Sequence, residues 1–120
     1  MYSDFTEMPV WKEALALAED VFKLTAELPK KEDYGLTSQL RRAAVSISAN
    51  IAEGYGRTGT ADKNKFYDYA RGSAHETKSL LLYGAAVNYF PTPQIEIASR
   101  KLEAIIHSLN KIKLTIKSRT

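Results

Sequence analysis

Cysteine is absent from the chain. That removes disulfides and thiolate metal ligands and fits a reducing, cytoplasmic compartment. Histidine is scarce, with two residues, and neither His75 nor His107 follows a glutamate by three positions, the spacing that metal sites in helical bundles use. Glu103 precedes His107 by four, which reads as an ion pair on an exposed helix face. No metal or other cofactor is therefore expected. Long apolar runs are lacking too. The longest uncharged stretch, Ser79 to Ile95, is interrupted by Asn88, Pro91 and Pro93, and its apolar heart from Leu80 to Val87 is too short to cross a bilayer. The opening MYSDFTE is acidic where a secretion signal would be basic and then apolar.

Catalytic motifs are missing in the same way. There is no cysteine nucleophile, no nucleophile elbow and no carboxylate pair that the sequence places in a shared cleft, so an enzyme is not expected. Gly54, Gly56 and Gly59 do spell G-x-G-x-x-G, but a helix pattern precedes them where the dinucleotide fingerprint needs a strand. No Lys-Ser or Lys-Thr pair follows, so a P-loop is excluded as well. A glycine loop with Arg57 in it could hold a phosphate on free backbone N–H groups; a plain helix-helix corner accounts for the same residues.

What the sequence has is helical periodicity. Val10, Ala14, Leu17, Val21, Leu24 and Leu28 are spaced 4, 3, 4, 3 and 4, with Trp11, Leu15, Ala18 and Phe22 beside them. Thr6 is the expected cap, Pro9 is tolerated in the first turn, and Pro29 stops the helix. Leu36, Leu40, Ala44, Ile47 and Ile51 form a second stripe. Beside it run Gln39, Ala43, Ser46, Asn50, Glu53 and Arg57, mostly short and polar, which predicts a face for close helix packing or for a second chain. A third helix, capped by Thr58 or Thr60, is expected to point Phe66, Ala70, Ser73, Thr77, Leu80 or Leu81, Gly84 and Val87 inward. Gly72, Ser73 and Ala74 would form a narrow waist against the second helix. Thr92 and Pro93 open a fourth helix, with Ile95, Ala98, Leu102, Ile105, Leu109, Ile112 and Ile116 as its stripe. No alternating strand pattern intervenes. The fold class is all-α, an antiparallel up-and-down four-helix bundle, in one domain over 1–120 with helices at about 7–28, 36–54, 61–88 and 93–117.

The net charge of +3 is unevenly spread. Residues 1–29 carry six acids and two bases, residues 91–120 two acids and six bases, and beyond Glu103 every charged residue is basic: Lys111, Lys113, Lys117 and Arg119. An acidic helix lying beside a basic one in the same or a neighbouring chain accounts for this; a polyanion partner is the competing explanation. Arg41, Arg42, Arg57, Lys63 and Lys65 also crowd around the second helix and its corner, with Tyr55 and Tyr67 near them in sequence. Together with Lys111 and Lys113 they are the candidate nucleic-acid contacts, since basic side chains and interleaved aromatics suit phosphates and bases. Ordinary solvated charge explains the same residues.

Several of these segments resemble one family: Val10-Trp11, Leu28-Pro29, Tyr34-Gly35-Leu36, the run from Gln39 to Ile47, Asn50-Ile51-Ala52-Glu53-Gly54, Gly56-Arg57, and Ala70 to Ser73 with Glu76. The chain is similar nearly throughout to the four-helix-bundle proteins encoded in intervening sequences of bacterial 23S ribosomal RNA genes. One departure is Ser48-Ala49, where many members carry a proline; its absence should straighten the second helix without altering the fold. The resemblance implies a small bacterial cytoplasmic protein without established catalysis, assembled as a ring-like homopentamer. Related accessory proteins of diversity-generating retroelements bind nucleic acid and a reverse transcriptase through a basic pentamer. Candidate oligomer or helix-packing contacts are Gln39, Ser46, Asn50, Glu53, Gly72, Ser73 and Glu76. Two readings follow: a homo-oligomer that binds RNA or DNA on a repeated basic surface, or a protein-protein adaptor whose charge asymmetry serves subunit pairing.

Overall fold

The computed structural model describes residues 2–118. Four helices, α1 (Pro9–Thr25), α2 (Leu36–Gly56), α3 (Thr60–Ala86) and α4 (Thr92–Ser118), are joined by short links, with 3-10 turns at Phe5–Glu7 and Lys30–Glu32. Each helix packs on its sequence neighbours, and α4 closes back on α1. Antiparallel order follows from the contacts. Thr25 at the end of α1 meets Arg41 near the start of α2, Tyr2 meets Tyr55, Ser46 meets Ser73, Arg71 meets Asn110 and Asp20 meets Lys101.

The apolar stripes do what hydrophobic burial demands of them. Leu17, Val21, Leu40, Ile47, Ile51, Leu102, Ile105 and Leu109 are fully buried in one core. In α3 the buried face is Tyr67, Ala70, Ala74, Thr77, Leu81 and Gly84. Phe66 and Ser73 are only half-buried and Val87 is exposed, so the expected stripe is one residue out of phase in two places. Small residues leave little hydrophobic contrast to fix the phase.

Helix ends depart from expectation for local reasons. Asp4, not Thr6, is the first cap: its carboxylate accepts from the Thr6 backbone N–H at 3.4 Å at the start of the 3-10 turn, and from the Thr6 hydroxyl at 2.6 Å. The helix α1 then begins at Pro9 without a side-chain cap. It ends at Thr25 rather than near Leu28, because Pro29 is extended and disfavours helical geometry in the residue before it. Gly59, not Thr58 or Thr60, is the N-cap of α3, and Thr92 lies inside α4 as its first residue. At the end of α3, Tyr89 donates to the Gly84 carbonyl at 2.8 Å and Asn88 to that of Ala85 at 3.0 Å. This is a Schellman cap with Asn88 at φ 67°, the left-handed position that asparagine tolerates better than other side chains.

Glu32 ties two of the links together. Its carboxylate accepts from the Tyr89 hydroxyl at 2.8 Å and from the backbone N–H of Leu36 at the start of α2, at 3.2 Å. The Tyr89 hydrogen bond first, and the Leu36 N–H second, hold its carboxyl below the ordinary value of 4.5. A depressed carboxylate stabilises the fold above the unfolded-state value and loses that contribution as pH falls through the folded-state one. Glu32→Gln is therefore expected to lower the Tm at pH 7, with the difference from the parent shrinking as pH drops below 4.5. A pH-independent difference in thermal melts would contradict this account.

Candidate nucleic-acid interface

The basic residues that crowd together in sequence form two groups in space, Arg41 and Arg42 near the start of α2 and Arg57, Lys63 and Lys65 at its end, where Arg57 and Lys65 share the Phe66 ring. Arg41 and Arg57 lie sixteen residues apart on α2, about 24 Å at 1.5 Å per residue. Arg41 belongs to the α1 terminus: its Nε donates to the Thr25 hydroxyl at 2.7 Å, its guanidinium reaches the Phe22 carbonyl at 3.3 Å, and it lies 4.3 Å from the centre of the Phe22 ring. Arg42 is exposed and has no ion pair among the described residues. Arg57 is bridged to Glu53 at 3.1 Å and Asp62 at 4.0 Å and stacks on Phe66. Lys63 donates to the carbonyls of Gly54 and Tyr55 at 3.3 and 2.8 Å, capping the end of α2 with positive charge where the helix dipole favours it. Lys65 is exposed beside Phe66, Lys113 pairs with Asp68, and Lys111 is exposed without an ion pair among the described residues. Arg119 lies outside the described residues.

Three basic side chains missed by proximity in sequence join the last two. Arg71 donates to Asn110 at 3.3 Å, Lys78 bridges to Glu103 at 3.0 Å, and Arg100 shares one exposed ridge with Glu103, His107, Lys111 and Leu114. Across the α3–α4 seam Arg71, Lys78 and Lys113 thus meet Asn110, Glu103 and Asp68, while Arg100 and Lys111 lie on the outer ridge of α4, Lys111 beside the groove that Met8 and Val10 also line. Glu103 turns to Lys78 rather than to His107, which replaces the expected ion pair. The seven-residue spacing of Asn64, Arg71 and Lys78 was the available signal, but it needs the α3–α4 register to be read.

Exposed apolar side chains occur on every helix: Leu15 and Phe22 on α1, Val45 on α2, Tyr69, Leu82 and Tyr83 on α3, and Ile97 and Leu114 on α4. Trp11, Leu15, Ala18 and Phe22 make one ridge on α1, and Val45 follows Arg41 by a turn on α2; Phe22 is 59% and Val45 55% exposed. Between α2 and α3, the Ser46 and Ser73 hydroxyls meet at 2.9 Å, and the Asn50 amide donates to the Ser46 carbonyl at 2.8 Å. The Ser46–Ser73 pair is a helix-packing contact within the chain, whereas the Asn50 amide bonds Ser46 inside α2. Gln39, Glu53, Gly72 and Glu76 remain exposed. Of the waist expected at Gly72, Ser73 and Ala74, Ser73 meets Ser46 and Ala74 is buried, but a Cβ at Gly72 would meet nothing within 4 Å; the glycine that permits close approach is Gly54, where a Cβ would lie 2.8 Å from the Tyr67 ring. Among the described residues no group of three or more acidic or histidine side chains could hold a metal, and no helix is long and apolar enough to cross a membrane.

The family model for the 23S rRNA-intervening sequence proteins matches residues 6–111. The chain belongs to that family. A crystal structure of a protein with unknown function from the S23 ribosomal protein family of Bacteroides thetaiotaomicron is similar at a TM-score of 0.78 and 23% identity, over 87% of this chain and 97% of that one. At that identity the likeness speaks for the fold alone. No curated protein gives a significant match. In this member of the 23S rRNA-intervening sequence family the segments that carry the resemblance have structural work: Arg41 closes α1, Asn50 holds Ser46, and Gly54 receives Tyr67.

Proposed function

We propose that the protein is a non-catalytic cytoplasmic scaffold that assembles with copies of itself, as a homopentamer, and presents its α3–α4 faces to RNA or another nucleic acid. The observation that carries this reading is the exposed ridge of α4, where Arg100 and Lys111 make no ion pair among the described residues. Association through Leu15, Phe22 and Val45, exposed on α1 and α2, would leave that ridge outward, and a ring would repeat it. The family's link to 23S ribosomal RNA genes agrees with this and does not carry it.

An adaptor function is the second reading, favoured by the pairing of Lys101 with Asp20, Lys78 with Glu103 and Lys113 with Asp68. The acidic helix lies against the basic one inside the chain, which lowers the net positive field. Binding of purified protein to structured RNA and duplex DNA across a salt series, with mass from light scattering, separates the two. The expected result is a species near five times the 13.4 kDa chain whose affinity falls steeply with salt. Reversing Arg100 and Lys111 together to glutamate should weaken binding and flatten the slope. A large assembly that binds neither nucleic acid at low salt would move the function to a protein partner.

A further inference from the structure

We infer that neighbouring copies meet through two unlike edges of the bundle, Tyr34, Arg42 and Val45 of one copy against Glu76, Tyr83 and Val87 of the next, with Arg42 ion-paired to Glu76 across the contact. The inference rests on the self-association proposed above and names the surfaces that make it. An odd-numbered ring cannot close by matching one patch to itself, so each chain must offer one face and receive on another.

The two edges are complementary. On α2 the exposed residues Arg42, Val45 and Ala49, spaced 3 and 4, form a stripe with a single charge, that of Arg42. On α3 the exposed residues Glu76, Ser79 and Tyr83, spaced 3 and 4 and continued by Val87, form a stripe whose single charge is Glu76. Neither charge has an ion pair among the described residues, and a cation on one face with an anion on the other suits one copy to the next. Tyr34 is 99% exposed. It stands on a link that Glu32 fastens to Tyr89 and to the Leu36 N–H, so an ordered backbone holds up a ring that the chain itself does not cover. Tyrosine and arginine are among the side chains that anchor interfaces, and Tyr83, 54% exposed, and Val87 supply apolar surface on the other edge.

The heights agree as well. In a ring of bundles standing side by side about a parallel axis, rotation moves no residue along that axis, so partners must lie at equal heights. The Ser46–Ser73 contact sets the register of α2 against α3. Arg42 lies four residues from Ser46 and Glu76 three from Ser73, toward the same end of the antiparallel pair, at about 6 and about 4.5 Å along it. Tyr34 and Val87 each lie two residues from the Glu32–Tyr89 hydrogen bond at that end. Neither edge includes α4, so Arg100 and Lys111 stay outward.

Sedimentation and light scattering of the full chain over a dilution series test the contact. Arg42→Glu and Glu76→Arg should each raise the concentration at which the assembly comes apart by roughly tenfold or more, and Tyr34→Ala, which removes a ring that nothing in the chain covers, by roughly tenfold. Mixed one to one, the two charge variants should associate again, since each presents the charge that the other now needs; a pair formed inside one chain could not be restored by mixing. Circular dichroism unchanged from the parent is the control for folding. Failure of the mixture to associate, or an assembly indifferent to all three substitutions, would overturn the contact while leaving self-association standing. A parent chain that stays at 13.4 kDa at every concentration would remove both.

Discussion

Gly84→Ala is expected to destabilise the protein by about 2–4 kcal/mol, whereas Gly72→Ala, in the same helix, is expected to stabilise it by about 0.5–1 kcal/mol. The two positions have the same helical backbone and opposite surroundings. A Cβ at Gly84 would overlap the Phe90 ring, which is buried where the chain turns from α3 into α4. Expelling that ring resembles deleting it, a loss of about 3–5 kcal/mol, and the better helix propensity of alanine returns only about 1 kcal/mol. The same corner carries the Schellman cap through the Gly84 carbonyl, so Phe90 cannot move away without disturbing it. At Gly72 nothing stands within 4 Å of a new methyl, and propensity acts alone. Urea unfolding reads both effects as shifts of midpoint at constant slope. A gain at Gly84 would contradict the packing described, and a loss at Gly72 would mean that another surface covers it in the assembled protein.

The same contrast explains what could and could not be read from the sequence. The stripes of α1, α2 and α4 were legible because bulky aliphatic residues recur against polar neighbours, as at Leu36, Leu40, Ile47 and Ile51. The inner face of α3 is built from Ala70, Ala74, Thr77 and Gly84 around Tyr67 and Leu81, and alanines and a threonine on the polar side look much the same. The close approaches at Gly54 and Gly84 depend on Tyr67 and Phe90, and which aromatic ring folds back on which glycine is set by the link geometry, not by spacing. The basic residues regroup in space for a related reason. Neighbours in sequence on α2 sit at opposite ends of a long helix, while Arg71 and Lys113 reach one seam only after α3 and α4 have paired.

Arg41 and Lys111 should therefore fail in different ways when replaced. Arg41→Ala is expected to cost about 2 kcal/mol of stability and to leave the salt dependence of nucleic-acid binding unchanged. Its Nε hydrogen bond at 2.7 Å reaches Thr25, which is 2% exposed and in turn donates to the Val21 carbonyl at 2.7 Å. A hydrogen bond to a charged group is worth about 1.5–3 kcal/mol, and stacking on an exposed ring about 0.5–1 kcal/mol. Both are partly offset by solvation of the freed groups, so the net loss sits near the lower part of their sum. Arg41→Lys should recover little, because one ammonium cannot serve the Thr25 hydroxyl, the Phe22 carbonyl and the ring together as a planar guanidinium does. Lys111→Glu should show the converse, an unchanged midpoint in urea and a flatter salt slope, since this side chain is exposed and makes no ion pair among the described residues. A stable Arg41→Ala protein with a reduced salt slope would return Arg41 to the binding surface and place the nucleic acid on α1 and α2, the side assigned here to self-association.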